Sequence, residues 1–362
     1  MTSVGSDHRD LYCRVRSGPI VSGDFWEGRE IIGFAFTAID GEVADVEDVL
    51  LLAGDERAAR LPTRAVPIDS AVRGVNAKGD LPPRRLAANE VIAANGSYAY
   101  IAQEFRDWPG SNPEMARVAT GLCQSFDRLG HVIWLAGGAA RDVVAGWGVG
   151  SINDLDLTGT APVGAFLRAA IDWLVGAGLG DLRVKMNTGS MVCSATNPRD
   201  EARLFEYKPL VLVGCNFLAS DGDLKMDSET RDLRFNCLFY DPVRELLLDP
   251  TGQAIDDIRG RPIKFVVASK ATDPEAQAGL ILRALKFMVR YESLGYDTTA
   301  AEAWVRSLPA GLVNLVAAKK LKGLQAKRID WLKGLGPEDQ MELAERLGPA
   351  AEELLRRLDT VK

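Results

Sequence analysis

Residues 135–159, LAGGAARDVVAGWGVGSINDLDLTG, constrain this chain more than any other stretch. The apolar run VIWLA reads as a buried strand that ends at the pair Gly137 and Gly138. A helical segment, AARDVVAG, opens at that turn, and INDLDLTG reads as a second strand. Strand side chains alternate, so Asp154 and Asp156 fall on one face. A strand–glycine–helix junction presents backbone N–H groups and a helix N-terminus, which suit an anionic phosphate. Two carboxylates at i and i+2 can hold a divalent cation from one side. Mg²⁺ takes hard oxygen ligands and shares its shell with substrate phosphates. Together these features describe phosphoryl transfer, in which metals bridge the phosphates and neutralise developing charge.

An Asp-x-Asp pair alone also fits a strand end with two solvated acids, and a glycine pair after a strand is common. The fixed order of the parts carries the signal. A dinucleotide-binding reading fails, because the glycines of GWGVG (Gly146–Gly150) follow a helical segment rather than a strand.

Bulk properties narrow the partners. The 362 residues allow two or three domains with real cores. A formal net charge of -7 excludes a global basic field, so any nucleic-acid contact has to come from a local patch. The five cysteines (Cys13, Cys123, Cys193, Cys215 and Cys237) show no metal-ligand or redox spacing and fit buried thiols in a reducing compartment. With only His8 and His131, a histidine-rich metal site is disfavoured. MTSVGSDHRD lacks the apolar core of a signal peptide, and PLVLVGCNFLA is too short to span a bilayer. The expectation is a cytoplasmic protein with no membrane contact.

Three segments are expected. Residues 1–111 form an extension of unassigned role, with strand-like REIIGFAFTAID and a helical run, ADVEDVLLLAGDERAARL. Residues 112–265 form a mixed α/β domain. It opens with a helix in NPEMARVATGLCQSFDRLGH, started by Asn-Pro and stopped by glycine. PVGAFLRAAIDWLVGAGLG adds a helix, and GSMVCSAT and RLFEYKPLVLVG add strands. Residues 266–362 are helical, led by DPEAQAGLILRALKFMVRYESLG.

GGAARDVVAGWGVGSINDLDL resembles the signature of the class II tRNA nucleotidyltransferases (CCA-adding enzymes) and bacterial poly(A) polymerases, a branch of the DNA polymerase beta-like nucleotidyltransferases. Gly137, Gly138, Arg141, Asp142, Gly146, Asp154, Asp156 and Leu157 match its Gly-Gly-x-x-Arg-Asp, glycine and Asp-x-Asp-Leu elements. TRDLRFNCLFYDP resembles the family's Arg-Arg-Asp-Phe-Thr-Ile-Asn-Ala-Leu motif, with Arg231, Asp232 and Asn236 in place. ILRALKFMVRYESLGY resembles the neck helix's Arg-Ala-x-Arg-Phe, which places Arg283. The resemblance implies a nucleotidyltransferase head domain followed by an all-helical neck and body. It also implies a two-metal Mg²⁺ site, ATP and CTP as substrates, and an RNA partner with a tRNA-like 3′ end.

It further implies residue roles. Asp154 and Asp156 would bind Mg²⁺ and activate an RNA 3′ hydroxyl. Gly137 and Gly138 would approach the triphosphate, and Arg231 and Asp232 the sugar or phosphates. Arg141 and Asp142 either contact nucleotide or pin the helix start to the sheet. Glu206, on a neighbouring strand, is either a third carboxylate or a cross-strand surface charge.

The chain departs from the family at defined places. Thr230 stands where the motif has its first arginine, which removes a planar multi-donor contact. At the neck positions that read the incoming base stand Ala276, Gln277 and Leu280. Only Gln277 can hydrogen-bond a base edge with its side chain, so relaxed or rewired nucleotide choice is expected. The helical part is short for the family, which leaves the acceptor open. Lys319, Lys320, Lys322, Lys327, Arg328 and Lys333 cluster around Trp331 and either track RNA phosphates or form a solvated helix face. His131, Trp134 and Trp147 read as structural. Two further readings keep the motif but change the outcome: the same chemistry on another RNA, a small molecule or a protein, and a non-catalytic RNA-binding relative.

Overall fold

The computed structural model describes residues 86–161, 163–187, 192–197, 199, 202–210 and 223–361, with the backbone of four earlier strand segments. The chain divides into two compact units, residues 1–227 with 239–248, and residues 228–238 with 249–362.

The first unit is built on a mixed sheet. Its strands are β1 (Tyr12–Ser17), β4 (Ala44–Leu52), β5 (Val91–Ala93), β6 (Ile133–Ala136), β7 (Leu155–Gly159), β8 (Arg183–Asn187), β9 (Val192–Thr196), β10 (Arg203–Pro209), β11 (Phe239–Asp241) and β12 (Leu246–Leu248). β2 (Trp26–Glu27) and β3 (Glu30–Ile31) form a separate two-stranded pair. The order across the large sheet is β1-β4-β8-β9-β10-β7-β6-β11-β12-β5. Every neighbouring pair runs antiparallel except β10 and β7, which are parallel.

β4 corrects one expectation. The helix expected in ADVEDVLLLAGDERAARL is a strand over Ala44–Leu52, and the rest of that run lies outside the described residues. Val46, Val49 and Leu50 have helical spacing, but short apolar runs fit either element. Ladders to β1 on one side and β8 on the other engage the backbone in its extended form. REIIGFAFTAID also lies outside the described residues, apart from β3.

Among the described residues the helices of this region are α1 (Ala99–Ser111), α2 (Pro113–Arg128), α3 (Gly137–Val144), α4 (Val163–Gly176) and α5 (Leu224–Ser228). α2 starts where its sequence dictates. Asn112 accepts a hydrogen bond from the Met115 N–H at 3.1 Å, and Pro113 opens the first turn. Its buried stripe includes Met115, Val118, Ala119, Leu122 and Phe126. Phe126 stacks on Phe166 of α4, and Phe166 stacks in turn on Tyr207 of β10 at 3.6 Å. The apolar face of β10, with Phe205 and Tyr207, is therefore covered by helices. Each large side chain buried there is worth roughly 1.5–3 kcal/mol. The alternate residues of β10 face the other way.

The second unit is helical: α6 (Ala254–Arg259), α7 (Pro274–Tyr291), α8 (Thr299–Ser307), α9 (Ala318–Trp331), α10 (Pro337–Leu347) and α11 (Pro349–Asp359). β13 (Ile263–Lys264) and β14 (Tyr296–Asp297) make a short parallel pair. α7 is capped by Asp273, which accepts from the Ala276 N–H at 2.8 Å. Its buried face, with Ile281, Leu285, Phe287, Met288 and Tyr291, packs edge-on against Phe235 and Phe265. Ala276, Gly279, Leu280, Arg283 and Lys286 stay half-exposed.

Cys123, Cys193 and Cys237 are buried and not joined in disulfides. The side chains of Cys13 and Cys215 lie outside the described residues, as does His8. No helix among the described residues is long and apolar enough to cross a membrane.

Candidate active site

The one parallel pair among the described strands of this sheet positions the acids. Asp154 directly precedes β7, Asp156 lies within it, and the β10–β7 register places Glu206 opposite Asp156. Adjacent residues on parallel strands share a face, with strands about 4.8 Å apart. Phe205 and Tyr207 turn to the helix-covered side, so Glu206 and Asp156 stand together on the opposite one, both half-buried. Burial pushes the Glu206 carboxyl above its ordinary range; Arg203 opposes the shift, and Asp156 and Asp154 add to it.

The glycine turn lies against this face. Gly137 follows β6 and opens α3 with φ +54°, and a Cβ built there would lie 2.7 Å from Asp156 Oδ2. Glycine is required on both counts. The preceding Ala136 offers no side-chain cap, so the first-turn N–H groups of α3 are suited to an anion. Gly138 follows in the same turn. Arg141, by contrast, is buried and its Nε donates to Asp142 Oδ1 at 2.7 Å.

Arg203, not singled out in the sequence, joins the acids. Its Nε donates to Asp154 Oδ2 at 3.0 Å, its Nη2 bonds the same oxygen, and its Nη1 bonds Glu206 Oε2. Arg203 and Glu206 are three apart and would face opposite ways on a regular strand. The β10–β9 ladder slips between Arg203 and Phe205, where two steps on β10 span one step on β9, Thr196 to Ala195. Such a bulge re-aims a side chain. No sequence signal marks it.

Among the described residues no group of three or more His, Cys, Asp or Glu side chains is gathered as a metal-ligand set. The donors that are present still fit Mg²⁺, which uses one or two carboxylates and takes further oxygens from water and phosphate. Asp154 and Asp156 supply such a pair, and the absent Cβ of Gly137 leaves room beside Asp156 Oδ2.

The helical unit gathers the second set of expected residues. Asp232 Oδ1 accepts from Asn236 Nδ2 at 2.6 Å and from the Leu233 N–H at 2.7 Å, while Oδ2 pairs with Arg283 Nε at 2.8 Å. Arg283 in turn lies over the Trp331 ring at 4.4 Å, with Lys286 at 5.2 Å and Lys327 at 5.9 Å. Arg231 is half-buried, its N–H bonded to the Ser228 carbonyl at 3.2 Å. Gln277 Nε2 donates to the Ala271 carbonyl at 3.2 Å. Glu275 pairs with Lys320 at 3.1 Å.

Lys319, Lys320, Lys322 and Lys327 are exposed on α9, as is Lys333 beyond it. Arg328, counted with them from the sequence, is buried instead. It donates to Gln340 at 2.9 Å, the Leu355 carbonyl at 3.0 Å and Asp359 at 2.6 Å, tying α9 to α10 and α11. A buried, fully engaged guanidinium is not part of an exposed basic patch. Trp134 is buried and Trp147 half-buried. His131 is half-buried, and burial lowers its pKa.

No protein-family model matches the sequence, and no curated protein matches it. Solved structures do. The chain is similar to the Thermotoga maritima CCA-adding enzyme complexed with tRNA, at 14% identity and a TM-score of 0.52, over 73% of this chain and 55% of that one. A CCA-adding enzyme complexed with CTP matches at 15% identity and a TM-score of 0.52, over 72% and 54%. One complexed with ATP matches at 14% identity and a TM-score of 0.51, over 72% and 55%. The chain spans about half the length of these structures. It has the fold expected from its motifs, a mixed-sheet nucleotidyltransferase head and a helical neck and body, shared with the CCA-adding enzymes.

Proposed function

We propose that this chain is a Mg²⁺-dependent, template-independent nucleotidyltransferase. It transfers a nucleoside monophosphate from CTP or ATP to the 3′ end of an RNA, with a tRNA-like acceptor, and releases pyrophosphate. The observation that carries the reading is the placement of half-buried Asp154 and Asp156 at one end of β7, with Glu206 in register with Asp156 and Gly137 against it.

In the reaction the RNA 3′ oxygen forms a bond to the α-phosphorus. The bond between that phosphorus and the bridging oxygen to the β-phosphate breaks, and the hydroxyl proton leaves to solvent. Asp154 and Asp156 would hold Mg²⁺, which when bound activates the hydroxyl and neutralises charge on the phosphates. The turn at Gly137 and Gly138 lets backbone approach the triphosphate, and the N–H groups opening α3 orient it. Glu206 keeps the face acidic beside Asp156. Asp232, held by Asn236 and Arg283, is suited to contact a ribose hydroxyl, and Arg231 to contact phosphate. The exposed lysines of α9 are suited to RNA phosphates.

A second reading keeps the chemistry and changes the choice of substrate. Ala276 and Leu280 offer no side-chain hydrogen bond to a base edge, and one N–H of the Gln277 amide is engaged by the Ala271 carbonyl. This favours relaxed nucleotide choice and an unusual acceptor.

The test is incubation with Mg²⁺, each labelled nucleoside triphosphate and tRNA lacking its 3′ end, beside Asp156→Asn. Ordered C, C, A addition that disappears in the variant supports the first reading. Addition without that order, or to another acceptor, supports the second. Folded protein that releases no pyrophosphate with any acceptor tried overturns both.

A further inference from the structure

Arg203 holds Asp154 and Glu206 together from a position that a metal bound to Asp154 would contest. Both Nε and Nη2 bond Asp154 Oδ2, and Nη1 bonds Glu206 Oε2. The β10 bulge is what brings it there. We propose that Arg203 is a built-in cation that competes with the divalent metal for Asp154, which it ties to Glu206, so that metal enters only as this side chain leaves. The proposal rests on Asp154 and Asp156 being the metal carboxylates.

Charge explains why a cation belongs there. Asp154, Asp156 and Glu206 lie close on one face, and like charges at that separation repel unless a positive group stands among them. Arginine suits the place, because its planar fork spans two acceptors at once, here one oxygen from each acid. Exposure explains why it can leave. The Arg203 side chain is 43% exposed, and both acids it bonds are 35% exposed. Ion pairs that open to water are weakly held. A divalent ion carries twice the charge and dispenses with the rotamer restriction of a long side chain.

Competition has a measurable size. If Arg203 engages the acids nine-tenths of the time, apparent metal affinity falls about tenfold relative to a chain without it. The experiment titrates Mn²⁺ into the full chain, without RNA or nucleotide, and reads free Mn²⁺ by electron paramagnetic resonance. Wild type, Arg203→Ala, Arg203→Lys and Asp156→Asn are compared, each checked for folding by circular dichroism. Arg203→Ala is expected to bind Mn²⁺ about tenfold more tightly. Arg203→Lys, a point charge without the fork, should fall between. Thermal unfolding in EDTA adds a readout independent of metal affinity: Arg203→Ala should melt below wild type, and Mn²⁺ should raise its midpoint by more.

Binding by Arg203→Ala that is equal to or weaker than wild type overturns the proposal. If binding is then still lost in Asp156→Asn, only the role of Arg203 falls. If Asp156→Asn binds as wild type does, or if no variant binds Mn²⁺, the metal reading falls with it.

Discussion

At the scale of a residue, one methyl group tests the carboxylate face. In Gly137→Ala the new Cβ would sit 2.7 Å from Asp156 Oδ2, at a backbone φ of +54°. The left-handed conformation alone costs an L-residue roughly 1–2 kcal/mol, and the carboxylate has to move as well. The variant should fold with a slightly lower melting temperature and lose most of its nucleotide transfer. A lowered melting temperature with transfer intact would remove Gly137 from the site. Asp154 and Asp156 were legible in the sequence because period-two alternation and a preceding glycine turn survive any packing. Arg203 was not, because its orientation depends on a register slip of β10 against β9, which neither strand's sequence encodes alone. Arg328 was misjudged for a related reason. A helical basic run shows spacing, but burial is decided by Gln340 and Asp359 on other helices.

At the scale of an element, the neck helix α7 tests substrate choice. Its start and its buried stripe were readable from Asp273-Pro274 and the apolar spacing, and the structure has both. The same logic failed for β4, where spacing alone could not distinguish a helix from a strand whose partners lie far along the chain. On α7 the informative residues are the half-exposed ones. A site that hydrogen-bonds its substrate rejects the wrong one by about 10⁴–10⁵, because mismatched polar groups stay unpaired, whereas apolar contacts discriminate by only about 10–200-fold. On the proposed reading, in which Ala276 and Leu280 face the incoming base, the second regime applies. Ratios of kcat/KM among the four nucleoside triphosphates should stay within about 200-fold. Ratios near 10⁴ would mean that other polar groups read the base. Leu280→Arg restores a donor fork and should widen the spread.

At the scale of the whole molecule, charge sets the terms of RNA binding. The chain carries a net charge of -7, so its average field repels a polyanion and contact depends on a local patch. Lys319, Lys322 and Lys327 are exposed, whereas Lys320 is paired with Glu275 and Arg328 is buried. Each phosphate neutralised on a single strand contributes a slope of about -0.7 in log K against log salt concentration, and about -0.9 on a duplex. Replacing Lys319, Lys322 and Lys327 together by Gln should therefore flatten that slope by about 2–3 and weaken binding at low salt. The melting temperature should barely change, since solvated lysines contribute little to the fold. Lys333→Gln would serve as a nearby single-charge comparison. Binding curves of equal slope for wild type and the triple variant would assign α9 a solvated face, and RNA contact would have to be sought elsewhere on the chain.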